Sequence, residues 1–456
     1  MKITPTIRAE FEKYLRKNGL SKTEFGHIAG LNPGTVSGIV TGNKSISVHQ
    51  LDRITGGMGL EPDHFYERYI EECIMEEPLN WKRIRPFLYR CVQFNRLDCL
   101  QRVVGMLLDN PGYLPHLFVI AEDAFKKGYN EAAAYLYENI AEGEKYQHSD
   151  RLAICHYRIF TIQIGDDQNR NLKAATRFES FVERLNEVVQ LDALKDLANV
   201  YRSLREWDKV DEIAKALEIK AEIQYKLDQH HDAKKENLKK PASPPFAYWA
   251  FSHLLHAEVC EAHKDYEKAL QHTYTYADLS WVKETDEITL EWKKRYKEWA
   301  EANTYVNKLH AGEVSILADY VAFFSSKKEE TLPGLDNVVE AANRHHLNID
   351  HILKQFETEI FALLDKPESV GVYNQQFITE RYVHFTCALA VYYFNKGDFA
   401  DGFTFSLSCL EKSSLINNKP YIIKCVKLYE SYKQYASSET KAAYRNLINE
   451  VDEDET

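Results

Sequence analysis

Apolar residues recur along the chain at the three- and four-residue intervals of amphipathic helices. Ile7, Phe11, Tyr14 and Leu15 mark a first helix, and Asn18-Gly19 stops it with residues that tolerate a left-handed backbone. Ser21 begins a second helix, and Glu24, three residues on, completes a capping box. Phe25, Ile28 and Ala29 are expected on its inner face. Gly30 supplies a turn, Leu31 plugs the core, and Asn32 caps a third helix whose first residue is Pro33, where a missing N–H costs nothing. Val36 and Ile39 face inward. Gly42-Asn43 ends this helix, and a fourth from Ser47 carries Leu51 and Ile54 to a break at Gly56-Gly57. Leu60 and Phe65 close a unit of residues 1–66.

Residues 67–456 read as paired amphipathic helices with a phrase recurring at the turns. Lys127-Gly128-Tyr129, Arg205-Glu206-Trp207, Lys264-Asp265-Tyr266 and Gly397-Asp398-Phe399 each place an aromatic three residues before Ala132, Val210, Ala269 or Gly402. Asn95-Arg96-Leu97 with Leu100 is a weaker copy. Nine residues before three of these aromatics stand Ala198, Ala257 and Ala390. Small residues let two helices approach, with the aromatic expected to fill the gap beneath the turn. The strong copies lie 78, 59 and 133 residues apart, so repeats between them must be irregular. Degenerate copies are expected at 171–175 and within 151–164. Residues 228–245 read as a surface loop, 366–369 as a second break, and the acidic stretch 450–455 as a solvated, frayed end.

Composition agrees with an all-α chain: 456 residues contain only 19 glycines and 13 prolines. Charge adds an asymmetry. Residues 1–60 hold eight basic against four acidic side chains, a net of +4, which leaves −16 for the rest of a chain whose total is −12. Only the N-terminal part suits a polyanion; the acidic remainder would be repelled by one. The eight cysteines are scattered without a C-x-x-C pair, which predicts buried free thiols in a reducing compartment. No run of eighteen apolar residues and no secretory leader pattern is present, so a cytoplasmic protein without membrane contact is expected.

Leu20-Ser21-Lys22-Thr23-Glu24-Phe25, through Gly30-Leu31-Asn32, to Thr35-Val36-Ser37-x-Ile39-x-x-Gly42 resembles the repressor-type helix-turn-helix of the Xre/Cro class. The resemblance implies that the helix starting near Asn32 enters the major groove of double-stranded DNA. Its base and backbone contacts would then come from Asn32, Gly34, Thr35, Ser37, Gly38, Thr41, Asn43 and Lys44, with Lys22 on a phosphate. No Lys or Arg lies between Lys22 and Lys44. Arginine readout of guanine is therefore absent from the helix itself. So few phosphate contacts per subunit argue for a homodimer on two half-sites.

The turn phrases resemble the packing unit of a tetratricopeptide array, which implies a right-handed helical solenoid with a concave groove. In the usual framing of such repeats, Asp192, Lys195, Asn199, Arg202 and Ser203 face that groove. Phe251, Leu254, Glu258 and Glu261 follow in the next repeat, and His384, Cys387, Phe394 and Asn395 in the last. Lys195, Asn199, Arg202, Glu258, Glu261 and Asn395 are the candidate peptide ligands, Asn199 above all because a carboxamide pairs with a peptide N–H and C=O together. A helix-turn-helix followed by such an array resembles the RRNPP peptide-pheromone receptors, the arbitrium receptors among them. That resemblance implies a transcription regulator whose DNA affinity is set by a short signalling peptide. The alternatives are a repeat protein that binds or dephosphorylates a response regulator, and a regulator controlled by a protein partner. No catalytic motif, cofactor motif or clustered metal-ligand spacing is present; the densest polar group is His345-His346 with Asp350-His351.

Overall fold

The computed structural model describes residues 5–75, 79–147, 149–230, 240–365 and 375–453. Among the described residues every regular element is helical, and no helix is long and apolar enough to cross a membrane. The chain forms two compact units, Met1–Ile162 and Gln163–Thr456.

The first unit opens with four short helices: α1 (Ile7–Lys17), α2 (Lys22–Ala29), α3 (Pro33–Val40) and α4 (Val48–Gly57). Their starts follow the expected chemistry. Ser21 and Glu24 form both halves of a capping box, and Asn32 accepts a hydrogen bond from the Gly34 N–H with Pro33 at the first helical position. Ile7, Phe11, Phe25, Val36, Ile39, Leu51, Ile54 and Phe65 have no exposed surface, and the Phe11 and Phe25 rings meet at 4.7 Å. Two expectations fail. Ile28 is 58% exposed, because α2 has only two turns and Phe25 and Ala29 already fill its inner face. The Gly56-Gly57 pair does not break α4, which continues through both and ends at Met58.

Residue 66 is not a boundary between compact units. Tyr66 and Tyr69 pack their rings against Phe87, each with centroids 5.2 Å away. The Arg90 Nε donates to Asp52 at 2.9 Å, and the Arg96 Nη1 donates to Asp63 at 2.7 Å. Hairpins of helices then follow, Trp81–Gln93 with Leu97–Leu108 and Leu114–Lys126 with Asn130–Glu144.

In the second unit the helices Glu187–Leu204, Trp207–His230, Pro245–Ala262, Tyr266–Ala277 and Glu287–His310 each pack on the next. Gln375–Lys396, Phe399–Leu415 and Lys419–Tyr432 repeat the arrangement. All five turn phrases lie at corners between helices, each with a left-handed residue one or two positions before its third member: Asn95, Gly128, Arg205, Lys264 and Gly397. The small or aliphatic member is buried each time, as Leu100, Ala132, Val210, Ala269 and Gly402. The aromatic is less sheltered than expected; Tyr129 is exposed and Trp207, Tyr266 and Phe399 are half-buried. Close approach is what the small residue supplies: a methyl on Gly402 would stand 2.6 Å from the Phe394 ring.

The surface-loop expectation is corrected at its start, since Asp228, Gln229 and His230 continue the helix from Trp207. Residues 231–239 and 366–369 lie outside the described residues. The last helix runs from Ser438 to Glu453, and residues 454–455 of the acidic stretch lie outside the described residues.

Candidate functional site

The α2–α3 turn is held from both sides. The Leu31 N–H donates to the Gly26 carbonyl at 2.7 Å, and Arg53 Nη1 donates to the Gly30 carbonyl. Around α3, Asn32, Gly34, Thr41, Asn43 and Lys44 are exposed, while Lys22, Thr35, Ser37 and Gly38 are half-buried. Several of these groups are already engaged. Asn32 Oδ1 caps its own helix at 2.8 Å, which leaves its Nδ2 and one Oδ1 lone pair for a partner. Thr41 Oγ1 donates to the Ser37 carbonyl at 2.9 Å. Lys22 Nζ reaches Ser37 Oγ at 3.4 Å. The Lys44 stem crosses Gly38, whose missing Cβ would stand 3.0 Å from Lys44 Cδ. Gly38 is thus a seat for Lys44, not a free reading surface.

Basic groups missed in the sequence join this face. Arg8 Nη2 donates to the Lys44 carbonyl at 3.2 Å, and Arg83 Nη2 donates to Ser45 Oγ at 2.9 Å. Arg83 lies beyond residue 66 and so outside the helix-turn-helix pattern.

In the second unit a cavity of about 280 Å³ is lined by Lys195, Asn199 and Arg202, by Phe251, Leu254 and Glu258, and by Trp292, Tyr296, Trp299, Asn303 and Val306. A second space of about 250 Å³ takes in Arg202, Glu258, Glu261, Asn303, Asn337 and His384. Five of the six candidate ligands therefore meet at these two spaces. Asn395 does not; it is exposed and lines neither.

The candidates also bind one another. Arg202 Nε donates to Glu258 Oε2 at 2.6 Å and its Nη2 to Glu258 Oε1. Its Nη1 donates to Asn199 Oδ1 at 3.0 Å, which sets the amide orientation and leaves the Asn199 NH₂ for another acceptor. Asp192 is corrected from groove to scaffold, since it accepts from the Tyr248 hydroxyl and from the Ala242 N–H. Ser203 is buried and donates to the Val200 carbonyl at 2.8 Å. Cys387 and Phe394 are buried as well.

The cavity wall that sequence reading missed is the helix Glu287–His310, where Trp292, Tyr296, Trp299, Asn303 and Val306 follow at alternating intervals of four and three. That stripe is legible as periodicity, but no turn phrase marks its repeat. Buried charge concentrates beside the second space. Burial works against a charged His310, but the Glu261 and Glu340 carboxylates and the Asn337 carbonyl outweigh it and hold its pKa at about 9. Burial likewise opposes ionisation of Asp336, yet His384, Arg381 and Arg205 keep its carboxyl below the ordinary range.

His346 and Asp350 do not assemble a site. His346 ends a helix in the left-handed conformation, and Asp350 accepts from the Tyr392 hydroxyl at 2.9 Å and from Lys396. The scattered cysteines are partly gathered. Cys387, Cys409 and Cys425 place their Sγ atoms within 4.8 Å of one another. They do so inside an apolar cluster with Tyr382, Val383, Leu410 and Ile416, where their mutual hydrogen bonds lower the pKa of Cys387 and raise those of Cys409 and Cys425. No protein-family model matches the chain, and no curated protein matches it.

Proposed function

We propose that this chain is a DNA-binding transcription regulator, a helix-turn-helix head followed by a tetratricopeptide-like array whose cavity takes a short signalling peptide. The observation that carries the reading is convergence: Lys195, Asn199, Arg202 and Glu258, singled out by repeat framing, line one ring-walled space. Aromatic walls with a few polar groups are the usual make-up of a specific ligand pocket. The exposed polar residues of α3, flanked by Lys22, Lys44 and Arg8, support the DNA half. With few cations per head, two heads on one operator are needed for useful affinity. Control follows from linkage: the peptide changes DNA affinity only by binding the competent and incompetent states unequally. Gel retardation of fragments from the gene's own neighbourhood, with and without synthetic peptides from adjoining short reading frames, tests the proposal. Retardation that one peptide alters supports it. No retardation of any fragment by the pure protein rejects the DNA half, and retardation indifferent to every peptide rejects the control.

A further inference from the structure

Cys387, Cys409 and Cys425 stand on three successive helices of the second unit, Gln375–Lys396, Phe399–Leu415 and Lys419–Tyr432. No short motif joins them in the chain, yet their Sγ atoms all lie within 4.8 Å of one another. All three side chains are buried.

We propose that these three thiols form a binding site for trivalent arsenic, taken up as arsenite and held by three sulfur bonds.

Geometry is the first argument. Bonds of about 2.3 Å from a soft centre to thiolate sulfur put three donors roughly 3.5 to 4 Å apart. The cysteine triangle is of that size, so small side-chain rotations close it around one atom. Donor count is the second. Among the described residues no fourth histidine, cysteine or carboxylate atom joins the group. Structural zinc closes a four-ligand shell, and iron–sulfur clusters likewise take four cysteines. Trivalent arsenic keeps a lone pair and is complete with three bonds.

Charge is the third argument. Tyr382, Val383, Leu410, Ile416 and Tyr421 surround the sulfurs, and net charge is costly to bury in such a setting. Three thiolates would leave a double negative charge around Cu(I) and a single one around Zn²⁺. Around As(III) they leave none. The chemistry balances without an oxidant or reductant. Each sulfur forms one bond to arsenic as one arsenic–hydroxide bond breaks, and the thiol proton leaves with that hydroxide as water. Three such exchanges convert As(OH)₃ into the tris-thiolate and release three waters.

The protein tolerates loss of the thiol protons. Cys409 Sγ donates to the Val383 carbonyl at 3.4 Å, and that carbonyl also accepts from Thr386 Oγ1 at 3.2 Å, so it keeps a partner. A way in exists at the end of the chain. Cys425 stands on a helix whose other face is open, with Ile423 67% exposed. The last helix, Ser438–Glu453, covers the cluster only with the partly buried Tyr444, Leu447 and Ile448. Local opening at a chain end is among the least costly. The bound atom would then tie three helices together.

The test uses the full chain, reduced with a phosphine that brings no competing thiol. One equivalent of arsenite is added, and the mass of the native protein is measured. The expected adduct gains one arsenic and loses three hydrogens. Cys387→Ala, Cys409→Ala and Cys425→Ala should each lose that adduct, whereas Cys91→Ala, which removes one of the neighbouring thiols Cys91 and Cys99, should keep it. The wild-type melting temperature should rise with arsenite. Absence of an adduct in the wild type overturns the proposal. So does an adduct that loses only two hydrogens and keeps a hydroxide, which would place arsenic on a thiol pair, or a three-hydrogen adduct that persists without Cys387 and Cys409. The wild-type mass decides between three sulfur bonds and two even where a variant fails to fold.

Discussion

Arg202 and Glu258, on neighbouring helices of the second unit, face each other as a fork on a carboxylate, Nε to Oε2 at 2.6 Å with Nη2 on Oε1. Both are mostly sheltered, with side chains 14% and 23% exposed. Removing one partner should cost more than removing both, because a sheltered charge left alone loses its compensation. Glu258→Ala is expected to destabilise the protein by about 1 to 3 kcal/mol, and the double variant with Arg202→Met by less than the two single losses added. Chemical denaturation in a double-mutant cycle measures this, and strict additivity would mean that the pair contributes nothing.

Replacing Lys22 and Lys44 together by Ala should weaken operator binding and flatten its dependence on salt by about two units of slope, one for each phosphate that no longer meets a lysine. Retardation at several salt concentrations reads the slope. An unchanged value would take both lysines off the DNA.

Asn199→Ala should reduce peptide affinity by roughly 1 to 3 kcal/mol while the melting temperature hardly moves. Arg202 engages Oδ1, and among the described residues the NH₂ that would meet the peptide makes no hydrogen bond within the protein. Calorimetry with wild-type affinity in the variant would remove Asn199 from the peptide site.

His310 should make stability depend on pH on the alkaline side. Its folded pKa of about 9 stands above the ordinary 6.5. The stabilisation is therefore fully present below pH 6.5 and is lost as pH rises through about 9. Melting temperatures of the wild type should fall across that window, and His310→Gln should flatten this part of the curve. An equal fall in the variant would assign the effect to other groups.

Gly26→Ala is expected to destabilise the first unit by about 1 to 3 kcal/mol even though Ala is the better helix former. The added methyl would stand 2.7 Å from the Leu31 backbone carbonyl oxygen, an atom fixed by the turn into α3. Thermal unfolding decides it, and a melting temperature at or above the wild type would show that the turn can open.

Helix starts, the inner face of α1 and the corners between hairpins are legible in the sequence because each depends on residues within one or two turns of one another. Ser21 with Glu24, Asn32 with Pro33 and the Gly397 corner need no distant partner. Errors arise where a neighbour in space decides. Ile28 has the spacing of a core residue but no partner above it, and Gly57 sits under Phe25, where a Cβ would come within 2.8 Å of the ring. Close packing there selects the glycine, not a chain break. Lys195, Asn199, Arg202 and Glu258, which repeat framing puts on one face by periodicity, line one space in the structure. The framing fails for Asp192 and Asn395, whose surroundings periodicity does not contain.

The amino-acid sequence alone determines that this chain is helical, where many of its helices start and turn, and that its basic end differs from its acidic remainder. Those properties reside in caps, spacing and charge, all short-range or additive. Only the tertiary structure decides that the stripe from Trp292 to Val306 walls the same space as Asn199 and that Arg202 spends its fork on Glu258. Each brings together side chains on different helices, and how helices stack is settled by the packing of whole faces, which no local pattern encodes.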